Sequence, residues 1–284
     1  MSRNGVFSKW RGATVVALVA GALSGCFESV GSIGGGPTAK VAEVESDTTG
    51  ASKGNIASLT DVIQRNPSDP TAYNTRGIAY AKIGQFANAI EDFSKSIQLD
   101  PRFSGAYTNR ALAYRQIERD GPALADFNAA LAANPNDAAA YLGRGNLLRA
   151  QGHFPEALAD LNSAIRINPE GAQAYHARGL IYQKQGNHAQ AIVDFNNAID
   201  RDPFAGAPYE ARAQSYLATG KFNEAVDDYD AALNVDSNDA SAWSGLGFAY
   251  ERLGNKAKAL ESYNRAMLVD PNNAAARAGV GRLS

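Results

Sequence analysis

With one cysteine in 284 residues, Cys26, the chain cannot close a disulfide within itself, so packing and hydrogen bonding must hold the fold. Long apolar runs are missing as well. The longest candidate, ATVVALVAGAL at residues 13–23, is too short to cross a bilayer comfortably, because a spanning helix needs about 20 apolar residues. Charge of one sign is scarce: 27 basic residues face 29 acidic ones, for a formal net charge of −2. That balance argues against generic affinity for nucleic acid or anionic lipid, which needs clustered Lys and Arg. The three histidines, His153, His176 and His188, have no ligand spacing, and no Gly-rich phosphate loop or nucleophile elbow occurs. No catalytic residue, metal site, cofactor or small-molecule substrate is expected, and the chain reads as a non-enzyme.

What is present begins with an address. Arg3, Lys9 and Arg11 precede the apolar run with no acid among the first 25 residues, which is signal-peptide architecture. Without that leader the chain has 24 basic against 29 acidic residues, a net of −5. The run ends in LSGC, residues 23–26, which resembles the lipobox of bacterial lipoproteins. That resemblance implies cleavage before Cys26, acylation of its thiol and anchoring without a membrane-spanning helix. Residues 26–54 are rich in Gly, Ser and Thr, lack an apolar period and are expected to form a flexible lipidated tether reaching roughly 30 Å.

Beyond residue 54 a 34-residue period takes over. Pro67, Pro101, Pro135, Pro169, Pro203 and Pro271 share one frame, broken only by Ser237. Tyr73, Tyr107, Tyr141, Tyr175, Tyr209 and Trp243 share another; Ala89, Ala123, Ala157, Ala191, Ala225 and Ala259 a third; Phe93, Phe127, Leu161, Phe195, Tyr229 and Tyr263 a fourth. Tyr73, Gly77 and Tyr80 stand at i, i+4 and i+7, one helical face with a small residue in its middle, onto which a second helix can pack. Glycines at 84, 152, 186, 220 and 254 mark the reversal between helices, and the prolines end each unit. Column by column, this resembles the tetratricopeptide repeat (TPR) pattern. The resemblance implies an all-α, right-handed solenoid: an N-terminal half repeat at 55–67, six repeats at 68–273 and a C-terminal capping helix at 274–284.

Five arginines sit where a helix face would favour leucine. Arg76 lies eight residues before Gly84 and Asp92 eight after it, so an antiparallel hairpin brings them level. The same offsets match Arg110 with Asp126, Arg144 with Asp160, Arg178 with Asp194, and Arg212 with Asp228; the sixth repeat has Leu246 and Ser262 instead. These pairs are expected to be structural ion pairs, the alternative being a ladder for an anionic ligand.

TPR proteins usually bind partners on the free face of each first helix, which lines a concave groove. Transferred by position, that face comprises Asn74, Ile78, Thr108, Leu112, Arg115, Leu142, Asn146, Arg149, His176, Leu180, Gln183, Glu210 and Gln214. Its mixture of apolar anchors and hydrogen-bonding groups suits peptide segments of protein partners. The basic residues that the family's chaperone-tail clamp requires in the first turns are missing. In organisation the chain resembles periplasmic TPR lipoproteins that present cell-wall hydrolases to a protease, with the assembly lipoproteins of pilus or secretion machines as the alternative. Phe27, rather than Asp, after the cysteine resembles lipoproteins sent to the outer membrane, facing the periplasm. Replacing Cys26 with Ser is expected to abolish acylation and release the protein from membranes; a Cys26→Ser chain that still fractionates with membranes through its own anchor would contradict the lipoprotein reading.

Overall fold

The computed structural model describes residues 50–284, with side-chain detail from residue 54. The leader, Cys26 and the tether as far as residue 49 lie outside the described residues. Within them the chain forms an opening helix, α1 (Gly50–Arg65), and six antiparallel hairpins. These are α2 (Pro70–Lys82) with α3 (Phe86–Leu99), α4 (Ser104–Gln116) with α5 (Asp120–Ala133), and α6 (Ala138–Ala150) with α7 (Phe154–Ile167). Then follow α8 (Ala172–Lys184) with α9 (His188–Arg201), α10 (Gly206–Ala218) with α11 (Phe222–Val235), and α12 (Ala240–Arg252) with α13 (Lys256–Val269). A closing helix, α14 (Ala274–Leu283), packs on both α12 and α13. The expected boundary at residue 54 falls inside α1. Residues 50–54 are helical, because α1 is nucleated by its packing on α2 and each further residue then costs little to add.

The repeat boundaries have a local cause. Asp100, Asn134, Asn168, Asp202 and Asp270 precede prolines and leave the helix with ψ between 83° and 101°, the extended backbone that a following proline favours. Asp236 adopts the same shape (φ −134°, ψ 101°) although Ser237 follows it, so packing imposes the exit where proline is absent. Asp100 and Asp236 then accept the backbone N–H two residues on at 2.9 and 2.8 Å. Inside each hairpin the turn residue is left-handed. Glycine fills the role except in the second repeat, where Glu118 takes φ 57° because the hairpin geometry outweighs the side chain's cost.

One large side chain per second helix fills the space between repeats. Phe93, Phe127, Leu161, Phe195, Tyr229 and Tyr263 are at most 2% exposed. Phe93 lies against Gly77 of its own first helix so closely that a Cβ there would stand 2.6 Å from its ring, and a Cβ on Gly143 would collide with Phe127 of the preceding repeat. The first helices also touch in series, α2 with α4 and so on to α12 with α14, whereas the second helices make no such contacts. The even-numbered helices therefore form the inner wall of the solenoid.

The arginine column is consumed inside this stack. Arg144 donates from Nε and Nη2 to the two oxygens of Asp160, each at 2.7 Å, and from Nη1 to Asn128 Oδ1 in the preceding repeat at 2.6 Å. Arg76, Arg110, Arg178 and Arg212 chelate Asp92, Asp126, Asp194 and Asp228 in the same way, and their Nη1 groups reach back to Thr60, Ser94, Asn162 and Asn196. Each guanidinium also lies 5.7 or 5.8 Å from the centroid of the repeat's leading tyrosine ring. Bidentate geometry with an aspartate 7% exposed makes the 144–160 pair costly to break from one side. Arg144→Leu should lose roughly 2–4 kcal/mol in urea denaturation. Arg144→Leu with Asp160→Ser, which copies the buried Leu246 and Ser262, should regain more than half of that; additive losses would mean that the pair contributes nothing as a pair.

Candidate partner-binding groove

The inner wall encloses a groove of about 440 Å³ running from α2 to the start of α10. Helical spacing explains why these side chains converge: positions four and seven residues apart on one first helix point the same way, and the 34-residue period repeats that direction on the next. Of the residues transferred from the family pattern, Ile78, Leu112, Arg115, Leu142, Asn146, Arg149, His176 and Leu180 all line it. Gln183 and Gln214 line an adjoining hollow with Arg149, Lys184 and His188.

Three transferred positions do not serve as expected. Asn74 and Thr108 are 5% and 2% exposed. Both short polar side chains are enclosed by neighbouring repeats, where Asn74 accepts from Asn109 Nδ2 at 2.9 Å and Thr108 donates to Asp137 at 3.0 Å. Both are therefore buried between repeats and do not line the groove. Glu210 is committed to the next repeat through Ser241, whose hydroxyl donates to it at 2.6 Å, and it does not line the groove. Gln183 is also engaged, donating to the Ala211 carbonyl at 2.7 Å and to Ser215 at 3.0 Å. The leucines are half-buried and double as packing residues: Leu112 joins the core around Phe127, Leu142 that around Leu161, and Leu180 that around Phe195. They do not lie outside the stack, as their columns suggested, so a partner would touch only their outer edges.

Sequence reasoning missed Asn109, which is 3% exposed, lines the groove and has a buried carbonyl oxygen without a donor. The signal was available: its column otherwise holds Gly143, Ala177, Ala211 and Gly245 after Thr75, so an amide there departs from the small residues of the later repeats.

The electrostatics of the groove centre follow from burial. His176 is pushed down to about 4, first by desolvation and then by the charge of Arg149, while its ring lies 5.9 Å from that of Phe195. Burial, and then Arg115, also pull the Arg149 guanidinium below its usual range, although it stays charged at neutral pH. Among the described residues no cluster of His, Cys, Asp or Glu could hold a metal ion, and no helix is long and apolar enough to cross a membrane.

A stack of helical hairpins with a continuous inner groove defines a repeat scaffold of the kind that engages other proteins. Tetratricopeptide-repeat models match residues 70–103, 104–137, 172–204 and 240–273, and a TPR-repeat model matches 145–186 and 213–254. The chain belongs to the tetratricopeptide repeat family. Among solved structures, PilF of Pseudomonas aeruginosa superposes with a TM-score of 0.70 at 18% identity, over 77% of this chain and 99% of that one. PilW, a type IV pilus biogenesis factor, gives 0.67 at 18% over 74% of this chain and 98% of that one. The Cut9–Hcn1 structure gives 0.70 at 19% over 82% of this chain but 46% of that one, so this chain spans less than half of its length. At such identities these likenesses show the fold alone. No curated protein matches the chain.

The depressed His176 makes stability depend on pH. As pH falls from about 6.5 towards 4, the unfolded chain protonates this residue while the native groove does not, so native stability drops across that window. Up to roughly 2–3 kcal/mol should be lost there, and His176→Gln should flatten that part of the curve in urea titrations at a series of pH values. An unchanged pH profile would show that the imidazole is not desolvated.

Proposed function

We propose that this protein is an adaptor of the bacterial cell envelope, held at a membrane by an acylated Cys26 and binding segments of partner proteins in its inner groove. The observation that carries this reading is the groove itself, in which leucines from successive first helices alternate with the donors Asn146, Arg149 and His176 across repeats covered on both sides. Apolar edges give affinity and fixed donors hold an extended backbone in register, which is what a peptide ligand requires. The TPR scaffold supports a protein-interaction role rather than catalysis, and nothing in the groove resembles a nucleophile with its base. The LSGC sequence supports the anchor, and Phe27 after it an outer-membrane address facing the periplasm. Cell-wall hydrolases and a protease that acts on them are the partners that this organisation suggests.

The second reading is an assembly lipoprotein of a pilus or secretion machine. The superpositions on PilF and PilW favour it, since this chain covers nearly all of each. A photo-crosslinking residue at Gln173, exposed on the groove rim, is compared in cells with one at Val193, which is 57% exposed on the second helix of the same repeat. Crosslinks should form from 173 and be absent from 193. Captured wall hydrolases would support the first reading and pilus or secretin subunits the second, whereas capture only from 193 would move the interaction to the outer face.

A further inference from the structure

We propose that copies of this protein associate head to tail, the open face of α1 in one copy closing on the free face of α14 in another. Among the described residues α1 is a second helix without a first, and α14 a first helix without a second. Their columns show what each lacks. Leu59 stands in the column of the six large side chains that fill the stack, Phe93 to Tyr263, yet it is only half-buried where they are at most 2% exposed. Val62, one turn on, is 43% exposed, whereas Ser96, Ala130, Ala164, Ala198, Ala232 and Ala266 in its column are at most 4% exposed. At i and i+3 the two share one helical face. A terminal repeat needs a polar outer face for solubility, and this face is apolar.

The other end carries the matching recess. Gly77, Gly145, Gly179 and Gly247 share one column of the first helices, and a Cβ on any of them would stand between 2.6 and 3.0 Å from the large side chain of its own second helix. Gly281 belongs to that column, but a Cβ there would meet nothing within 4 Å. Leu59 of another copy is the side chain that this column receives. The arginine and aspartate columns agree independently. Val280 falls in the column of Arg76, and Ser58 in that of Asp92. The sixth repeat has Leu246 and Ser262 at these places, both buried, so Val280 with Ser58 makes the same kind of pair and buries no unpartnered charge. α14 and α1 are thus two halves of one further repeat, split between the ends of the chain. Joining them reuses the packing that already holds the six hairpins together. Because the two faces differ, every added copy leaves one end of each kind free, and the assembly is open rather than a closed dimer.

Sedimentation velocity of the detergent-solubilised full chain, over about a hundredfold range of concentration, should show an average coefficient that keeps rising past the value for two copies. Gly281→Leu fills the recess at a site open in the single copy, so it should leave the melting temperature unchanged and weaken association about tenfold or more. Val62→Asp, at an exposed position, should do the same from the other end. Mixing the two variants should restore one interface and give heterodimers that grow no further. In cells, a photo-crosslinking residue at position 277, whose column holds Tyr or Trp in the complete repeats, should capture α1 of a second copy that carries a different tag. Monomers at every concentration would overturn the proposal, as would unaltered chains that stop at two copies. Adducts confined to the same copy or to another protein would overturn it too. None of these outcomes bears on what the groove binds, so the adaptor reading stands or falls separately.

Discussion

The wedging of one large side chain between two first helices is the contact on which this molecule depends. Tyr263 shows it at the C-terminal end, where it is 1% exposed and packed with Ala259, Ala266 and Ala276, the last supplied by the closing helix. Removing any such residue from water contributes on the order of 2–3 kcal/mol, but neither repeat can gain that alone because each provides half of the enclosure. Stability is therefore a property of neighbours. The stack has to end in something that covers the last wedge, and α14 does so, tied down by Arg282 across to Glu251.

The arginine–aspartate pairs act on top of this packing and give it register. Each guanidinium satisfies a buried carboxylate in its own hairpin and reaches a hydroxyl or amide in the repeat before, so one side chain ties three helices together. Where the pair is missing, Leu246 and Ser262 are both 3% exposed, so an apolar solution fits the same space. The side-chain hydrogen bonds of Asp160 raise the guanidinium of Arg144 above its ordinary range, whereas Arg149, on the same helix, is lowered by burial. Two arginines one and a half turns apart thus differ in kind: one is spent on the stack and the other faces the groove.

Much of this was legible in advance because the physics repeats. A 34-residue period in several columns leaves little choice of fold, and the shared offsets from Gly84 bring Arg76 level with Asp92 before any coordinates are known. The positions on the open face of the first helices followed from the same frame, and eight of them line the groove.

What the frame could not carry was which side chains of neighbouring repeats enclose each position of a first helix. Sequence alone determined the period, the hairpins, the buried columns and the pairing of arginine with aspartate, because these are local or recur by translation along the chain. Tertiary structure alone decided that Asn74 and Thr108 close against the next repeat while Leu142 and His176, in the same column, face the groove. It also decided that residues 50–54 are helical, that Asn109 joins the groove and that His176 loses its solvent. The physical reason is the same in each case: burial depends on which side chains of the neighbouring repeats meet a position, and those lie about 34 residues away, where periodicity locates them but does not say what they cover.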